Sequence, residues 1–190
     1  YDNNTVWQVG STGIYQCMNA ALAIEAMKYI FGDVADCERW KEAVANVRWS
    51  GRMEEVLPGV ILDGAHNLAA IKRFVESIRA QKECNSEEKT VILFSAVAEK
   101  DYGHMIEALC QGVDADAYVI TKMEDKRGAR AETLAEEFAR YTDKKIYVED
   151  SMERAFAKAM EEKGDYGRLY CLGSLYLIGE LKGLIGGGHA

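Results

Sequence analysis

The chain has 190 residues, 48% of them hydrophobic, and a formal net charge of −8 at pH 7. This length can bury one good core, or one core with a small appendage. The acidic balance argues against a nucleic acid or an anionic membrane as partner, and no apolar run approaches the ~20 residues of a membrane span. The five cysteines form no C-x-x-C pair. Their scatter favours free thiols in a reducing cytosol over a metal site or a disulfide framework.

The first part of the chain predicts two helices. Apolar and small side chains recur at helical spacing over Tyr15–Phe31, and Gly32 fits the residue that ends many helices. A second helix is expected over residues 36–46. Because the chain does not begin with Met, we interpret it as a fragment. Residues 1–50 are expected to be a helical piece that belongs to a neighbouring domain, and residues 51–190 a domain of their own.

From Met53 onward, short apolar runs alternate with helical patterns. Strands separated by helices of ten or more residues imply right-handed crossovers and a largely parallel sheet. The two-residue link Pro58–Gly59 predicts that the first of these strands is antiparallel to the second. The predicted fold class is α/β: a Rossmann-like, mainly parallel sheet of about six strands with helices on both faces. Strands are expected at Met53–Leu57, Val60–Leu62, Thr90–Ser95, Ala117–Thr121, Lys145–Val148 and Leu169–Leu172, with a separate edge strand at Thr5–Val9.

One strand ends in a cluster of small and polar residues. Val60–Leu62 is a short, continuous apolar run, which is typical of a strand buried on both faces. Asp63, His66 and Asn67 follow it directly, and Gly64 lets a ligand approach the backbone. Ligands of open α/β sheets bind at such strand-to-helix corners. Asn67 alone would suit a helix N-cap without any ligand, but three polar groups at one corner favour a binding site.

Three further residues are candidates at the same edge of the sheet. Arg52 follows a glycine just before the first strand, where its planar fork would suit a phosphate. Ser174 follows the last strand, at a helix N-terminus that favours an anion. Arg127 lies in the loop after the Ala117–Thr121 strand. Each also has an ordinary interpretation: a solvated surface arginine for Arg52 and Arg127, and a helix N-cap for Ser174.

The chain lacks two common nucleotide-binding motifs. It contains neither G-x-x-x-x-G-K-[ST] nor G-x-G-x-x-G. The first glycine-rich loop cradles the phosphates of a nucleoside triphosphate, and the second binds dinucleotides. This part of the protein is therefore not expected to be a dinucleotide oxidoreductase or to cradle a triphosphate with a loop of its own.

Taken together, these motifs resemble the C-terminal domain of the folylpolyglutamate synthase family, which is related to the Mur ligases. The resemblance covers residues 10–184, and its W-x-G-R and D-G-A-H-N motifs are the most specific. The matching segments are Tyr15-Gln-Cys-Met-Asn19, Trp49-Ser-Gly-Arg52-Met-Glu, Val60-Ile-Leu-Asp63-Gly-Ala-His-Asn67, Phe94-Ser-Ala-Val-Ala-Glu-Lys-Asp101 and Leu172-Gly-Ser174-Leu-Tyr-Leu-Ile-Gly179.

The resemblance implies an ATP-dependent ligase that adds L-glutamate to the γ-carboxyl of a reduced folate through an acyl phosphate, and it leaves open a dihydrofolate synthase activity as well. It implies that Asn19, Asp63 and Arg52 bind ATP, with Arg52 on the phosphates, and that His66 and Ser174 line the glutamate side. His66 and Arg52 would be the catalytic residues. The phosphate loop and the ligands of Mg²⁺ would belong to the N-terminal ATPase domain, so the fragment alone should be inactive and monomeric.

Three positions depart from the family pattern. Tyr15 stands where the family has His, and Ser50 and Leu68 stand where it usually has Pro. Two alternatives remain open: a Mur-type ligase that adds an amino acid to a cell-wall precursor, and a non-catalytic Rossmann-like binding module.

Overall fold

The computed structural model describes residues 6–11, 13–32, 36–82 and 88–187. In these ranges the chain forms seven helices and six strands. The helices are α1 (Tyr15–Phe31), α2 (Cys37–Asn46), α3 (Leu68–Lys82), α4 (Tyr102–Gly112), α5 (Ala131–Phe138), α6 (Met152–Lys163) and α7 (Leu175–Gly187). The strands are β1 (Glu54–Leu57), β2 (Val60–Leu62), β3 (Thr90–Phe94), β4 (Ala117–Thr121), β5 (Lys145–Glu149) and β6 (Arg168–Leu172).

The strands form one sheet in the order β1-β2-β6-β3-β4-β5. The β1–β2 pair is antiparallel, as the short Pro58–Gly59 link predicts, and the other neighbours are parallel. The predicted fold class is therefore confirmed, and the strand bounds agree with the predicted ones to within one residue at each end. Val6 to Val9 form no strand, so the predicted edge strand is wrong there; Thr5 lies outside the described residues.

Alternating side chains of the central strands separate the core into two layers. On β3, Ile92 and Phe94 pack with α3, α4 and α5, whereas Val91 and Leu93 pack with α6 and α7. Successive side chains of a strand point to opposite faces, and both faces here are apolar because both are covered. This explains why β2, β3 and β4 are buried along their whole length.

Helix α1 packs on the α3 side of the sheet. The N–H of Ile14, its N-cap, donates to the buried hydroxyl of Ser77 on α3 at 3.1 Å. Gly32 ends the helix with a positive φ and donates its N–H to the Lys28 carbonyl, as predicted. Much of the apolar surface of α1 is nevertheless exposed, including Leu22 and Tyr29. Among the helices in the described ranges, none combines the length and the apolar character needed to cross a bilayer.

Candidate active site

The site lies between β2 and β6, neighbouring parallel strands whose following helices cover opposite faces of the sheet. The chain leaves β2 toward α3 on one face and leaves β6 toward α7 on the other. A crevice opens at such a switch point, outside the carboxyl ends of the strands. The two corners meet there, because the Gly173 N–H donates to the Ala65 carbonyl at 2.9 Å.

Asp63 is the centre of the hydrogen-bond network in this crevice. It is only 3% exposed. Its Oδ2 accepts from the Tyr15 hydroxyl at 2.7 Å and from the Met53 N–H at 2.9 Å, and its Oδ1 accepts from the Ala65 N–H at 2.8 Å. Burial raises the pKa of Asp63, while these hydrogen bonds and the nearby Arg52 charge oppose the rise. The carboxylate therefore ties helix α1, the loop before β1 and its own strand end together.

The pKa of Tyr15 responds to the same arrangement. Burial raises it strongly, and the neighbouring Asp63 charge adds to the rise. The hydroxyl is therefore a firm proton donor to Asp63 and stays protonated at physiological pH.

Arg52 is held at the mouth of the crevice by a tight turn. Its N–H donates to the Trp49 carbonyl at 3.2 Å, and its Nη1 donates to the Gly51 carbonyl at 3.1 Å. The Gly64 N–H donates to the same carbonyl at 2.7 Å, which docks the turn against the end of β2. A Cβ at Gly64 would displace the Arg52 guanidinium and the Leu175 side chain from their present positions. The half-buried guanidinium keeps further N–H donors for a ligand.

His66 and Asn67 have different roles at the corner. His66 Nδ1 lies 2.8 Å from the Gly64 carbonyl. A carbonyl can only accept, so the proton is on Nδ1, and in the neutral ring Nε2 keeps its lone pair. Asn67 Oδ1 accepts from the Ala70 N–H at 2.9 Å. This is an N-cap interaction, so Asn67 starts α3 and His66 is the polar group available to a ligand.

A cleft of about 380 Å³ brings most of the predicted site residues together. Asn19 lies on its rim and donates to Gln16 at 2.7 Å through an exposed amide. Two polar side chains that were not among the predicted site residues, those of Tyr15 and Arg73, also line it. The lining side chains and backbone belong to Tyr15, Met18, Asn19, Arg52, Asp63, Gly64, Ala65, His66, Ala70 and Arg73.

Helical spacing contained the signal for Tyr15, which precedes Asn19 by four positions on α1, so the two share a helix face. Arg73 lies on α3, which begins only after His66, so helical spacing from the predicted site residues did not point to it. Arg73 pairs with Glu76 at 2.9 Å, and both side chains are more than half exposed. Such a pair contributes little and can exchange for a ligand.

Two predicted candidates do not line the cleft. Ser174 is buried, and its Oγ accepts from the Tyr176 N–H at 3.1 Å, so it caps α7. Arg127 pairs with Asp125 through two contacts of 2.9 and 3.0 Å, donates to the Tyr176 hydroxyl and stacks 4.6 Å from the centre of the Tyr176 ring. Arg127 is thus engaged at the neighbouring corner, beside α7.

The donors in the cleft do not fit a magnesium ion. Asp63 is the carboxylate that lines it, and its oxygens already accept three hydrogen bonds. Mg²⁺ is usually bound through accessible carboxylates together with water and substrate phosphates. Throughout the described ranges, no three His, Cys, Asp or Glu side chains are grouped closely enough to bind a metal ion.

Comparison with known proteins gives consistent relatives. The chain is 30% identical over 177 residues to the dihydrofolate synthase/folylpolyglutamate synthase of Bacillus subtilis. The matched segment covers 90% of this chain and 39% of that protein. It is 26% identical over 183 residues to a probable bifunctional folylpolyglutamate synthase/dihydropteroate synthase of Halobacterium salinarum, covering 95% of this chain and 21% of that one. The chain therefore spans well under half the length of these relatives.

Solved structures share the fold. Escherichia coli FolC in complex with DHPP and ADP superimposes with a TM-score of 0.82 at 21% identity, over 100% of this chain and 42% of that one. The Mycobacterium tuberculosis folylpolyglutamate synthase complexed with ADP and AMPPCP gives a TM-score of 0.78 at 24% identity, over 94% of this chain and 41% of that one. The family model described as Mur ligase, glutamate ligase domain matches residues 51–175. The chain therefore belongs to the Mur ligase family and contains its glutamate ligase domain.

Proposed function

We propose that the chain is the C-terminal part of an ATP-dependent ligase that adds L-glutamate to the γ-carboxyl of a reduced folate. The observation that carries the proposal is the cleft at the β2–β6 switch point, where Asn19, Arg52, Asp63 and His66 come together. The relatives support the substrate class. The B. subtilis relative is a dihydrofolate synthase/folylpolyglutamate synthase, and the similar structure of a bifunctional folylpolyglutamate synthase/dihydrofolate synthase was solved with Mn, AMPPNP and L-glutamate bound.

On the nucleotide side, Arg52 is proposed to contact the phosphates of ATP. Its guanidinium is held at one end by the Gly51 carbonyl and offers the rest of its fork to the cleft. A rigid, bidentate donor suits a phosphate better than a mobile ammonium. Asn19 is proposed to bind the nucleotide through its exposed amide. Asp63 Oδ1 accepts one hydrogen bond, and a carboxylate oxygen can accept two, so one position remains for a nucleotide hydroxyl.

On the glutamate side, His66 is the proposed residue within the cleft, and Ser174 is proposed to act from the adjoining β6–α7 corner, where it caps α7. The Nε2 lone pair of His66 can accept a hydrogen bond or a proton from the attacking amine. The Ser174 hydroxyl accepts from the Tyr176 N–H and still has its own proton to donate. Catalysis of this kind depends on positioning and charge stabilisation, with two domains closing on the substrates.

The proposal divides the chain into two parts. Residues 1–50 are the helical tail of the ATPase domain, and residues 51–190 form the ligase domain. The magnesium ligands and the phosphate loop are proposed to lie in the preceding domain, in agreement with the poor fit of the cleft to Mg²⁺. The rest of the ATPase domain would cover the exposed apolar side chains of α1, such as Leu22 and Tyr29.

The test is glutamate ligation by the full-length protein. With ATP, Mg²⁺, L-glutamate and a reduced folate, we expect a folate lengthened by one glutamate and one ADP per amide bond formed. The 190-residue chain alone should show no turnover. Ligation to a uridine-nucleotide cell-wall precursor instead would support the Mur-type alternative. No ligation to either acceptor would support a non-catalytic module, and turnover by the 190-residue chain would show that the catalytic centre has been misplaced.

A further inference from the structure

The turn that carries Arg52 departs from the usual pattern of the resembled family. Trp49 to Arg52 form a β-turn closed by the Arg52 N–H and the Trp49 carbonyl at 3.2 Å. Gly51, at the third position, has φ +67°, whereas Ser50 is not among the residues with positive φ. These features define a type II turn, in which Gly is favoured at the third position and Pro at the second.

Ser50 occupies that second position, where the resembled family usually has Pro. Proline fixes φ near −65° and so stiffens a turn before any contact is made. Within the described part of the chain the Ser50 N–H donates no hydrogen bond, so a proline here would remove no backbone interaction. Ser50 therefore leaves the turn without the φ restriction of a proline ring, although a proline could be accepted at this position.

A side-chain network that does not include Asp63 also contacts the turn. Lys182, on α7, donates from Nζ to the Ser50 hydroxyl at 2.6 Å and to both carboxylate oxygens of Glu54 at 2.7 and 2.8 Å. Glu54 Oε2 in turn accepts from the Gly51 N–H at 2.6 Å. The hydrogen bonds from Lys182 and Gly51 outweigh the effect of burial and lower the pKa of Glu54.

We propose that Lys182 is a positioning residue for Arg52. Together with Glu54 it fixes the Ser50–Gly51 peptide and so replaces the rigidity that a proline would supply. The inference rests on the proposed phosphate contact of Arg52. The two sides of the turn are then held separately: Asp63 binds the Met53 N–H on one side, and Lys182 with Glu54 binds Ser50 and Gly51 on the other.

The geometry argues for more than a surface ion pair. The Lys182 and Glu54 side chains are only 35% and 30% exposed. One ammonium satisfies three acceptor atoms, and the carboxylate also binds a backbone N–H of the turn. An isolated surface pair makes no such backbone contact and contributes little. Moving α7 or the turn would break the whole set at once.

The test uses Lys182→Met in the full-length ligase, which removes the ammonium and keeps most of the apolar stem. We expect kcat/KM for ATP to fall roughly 3- to 10-fold, because a loosened turn weakens the Arg52 contact without removing it. Adding Ser50→Pro to Lys182→Met should recover roughly 2- to 5-fold of this loss, because the ring restricts the turn in place of the lysine contact. A purely structural lysine would show no such rescue of ATP kinetics.

A double-mutant cycle with Arg52→Ala tests the route of the effect. If Lys182 acts through Arg52, then Lys182→Met should cost nothing further in the Arg52→Ala background. The matched control is Lys158→Met, which removes an α6 lysine with two ion pairs of 3.0 and 3.1 Å. It should leave kcat/KM for ATP unchanged, whatever it does to the thermal melt.

The outcomes separate the two proposals. Impaired Arg52→Ala with wild-type kinetics in Lys182→Met would overturn the positioning role and leave the proposed function intact. Additive losses in the double variant would also overturn it, because Lys182 would then act independently of Arg52. Wild-type kinetics in Arg52→Ala would refute the phosphate contact itself, and the positioning role with it.

Discussion

Removing the Tyr15 hydroxyl tests the hydrogen-bond network around Asp63. Tyr15→Phe keeps the ring and deletes one donor. The lost bond is 2.7 Å long and ends on a carboxylate that is 3% exposed, so water cannot easily replace it. A hydrogen bond to a charged group contributes about 1.5–3 kcal/mol. We expect the free energy of unfolding to fall by this amount, which would lower Tm by roughly 3–12 °C for a chain of this size.

The loss should depend on pH in a definite direction. Burial raises the folded-state pKa of Asp63, and the Tyr15 hydrogen bond opposes that rise, so the variant should raise it further. A carboxyl with a raised folded-state pKa gains stability as pH falls through that value. As pH falls, the variant therefore gains more stability from protonation of Asp63 than the wild type does. The difference between them should therefore be largest at neutral pH and should shrink as Asp63 becomes protonated.

The assay is urea unfolding of the 190-residue chain at several pH values. The matched control is Tyr29→Phe, on the same helix, because the Tyr29 side chain is 92% exposed. It should change stability by less than about 0.5 kcal/mol. A Tyr15→Phe variant as stable as this control at pH 7 would refute the reasoning, because the hydroxyl would then not be bonded to Asp63.

Two other predictions concern the loops on either side of the crevice. Glu54→Gln should make the free energy of unfolding less dependent on pH at acid pH. The lowered pKa of Glu54 gives the wild type stability that is present above the ordinary pKa of a glutamate and is lost as pH falls through the lowered value. Unfolding of both proteins at pH 3–7 would show the difference. If the variant retained the wild-type acid limb, the Lys182–Glu54 contact would not persist in solution. Gly173→Ala should destabilise the chain by roughly 1–3 kcal/mol, because Gly173 has φ +111° and a Cβ would collide with the Ser95 carbonyl oxygen; a wild-type thermal melt would contradict this.

Much of the fold was accessible from periodicity alone. The continuous apolar runs of β2 and β3 reflect burial on both faces, which is the signature of a parallel sheet under helices. The short Pro58–Gly59 link specified the antiparallel β1–β2 pair. The insertion of β6 between β2 and β3 could not be predicted in this way, because it depends on how distant strands meet and no local pattern encodes it.

The candidate site was predictable to a similar degree. Asp63, His66 and Arg52 are adjacent to strand ends, so the pattern placed them at one edge. The use of the Asp63 carboxylate was not predictable, since its donors come from positions 48 residues earlier, at Tyr15, and 10 residues earlier, at Met53. Ser174 sits at a strand end too, but its side chain is buried as a helix cap. Sequence position alone does not give the direction of a side chain.

The most direct test of the central claim, a phosphate contact from Arg52 in an ATP-dependent glutamate ligase, is the steady-state kinetics of Arg52→Ala in the full-length protein with ATP varied. We expect kcat/KM for ATP to fall roughly 30- to 1000-fold, which corresponds to a loss of ~2–4 kcal/mol of transition-state stabilisation, with an unchanged thermal melt. Arg52→Lys should recover only part of this, because lysine keeps the charge and loses the fork. Wild-type kinetics in Arg52→Ala would contradict the account and make Arg52 an ordinary surface residue.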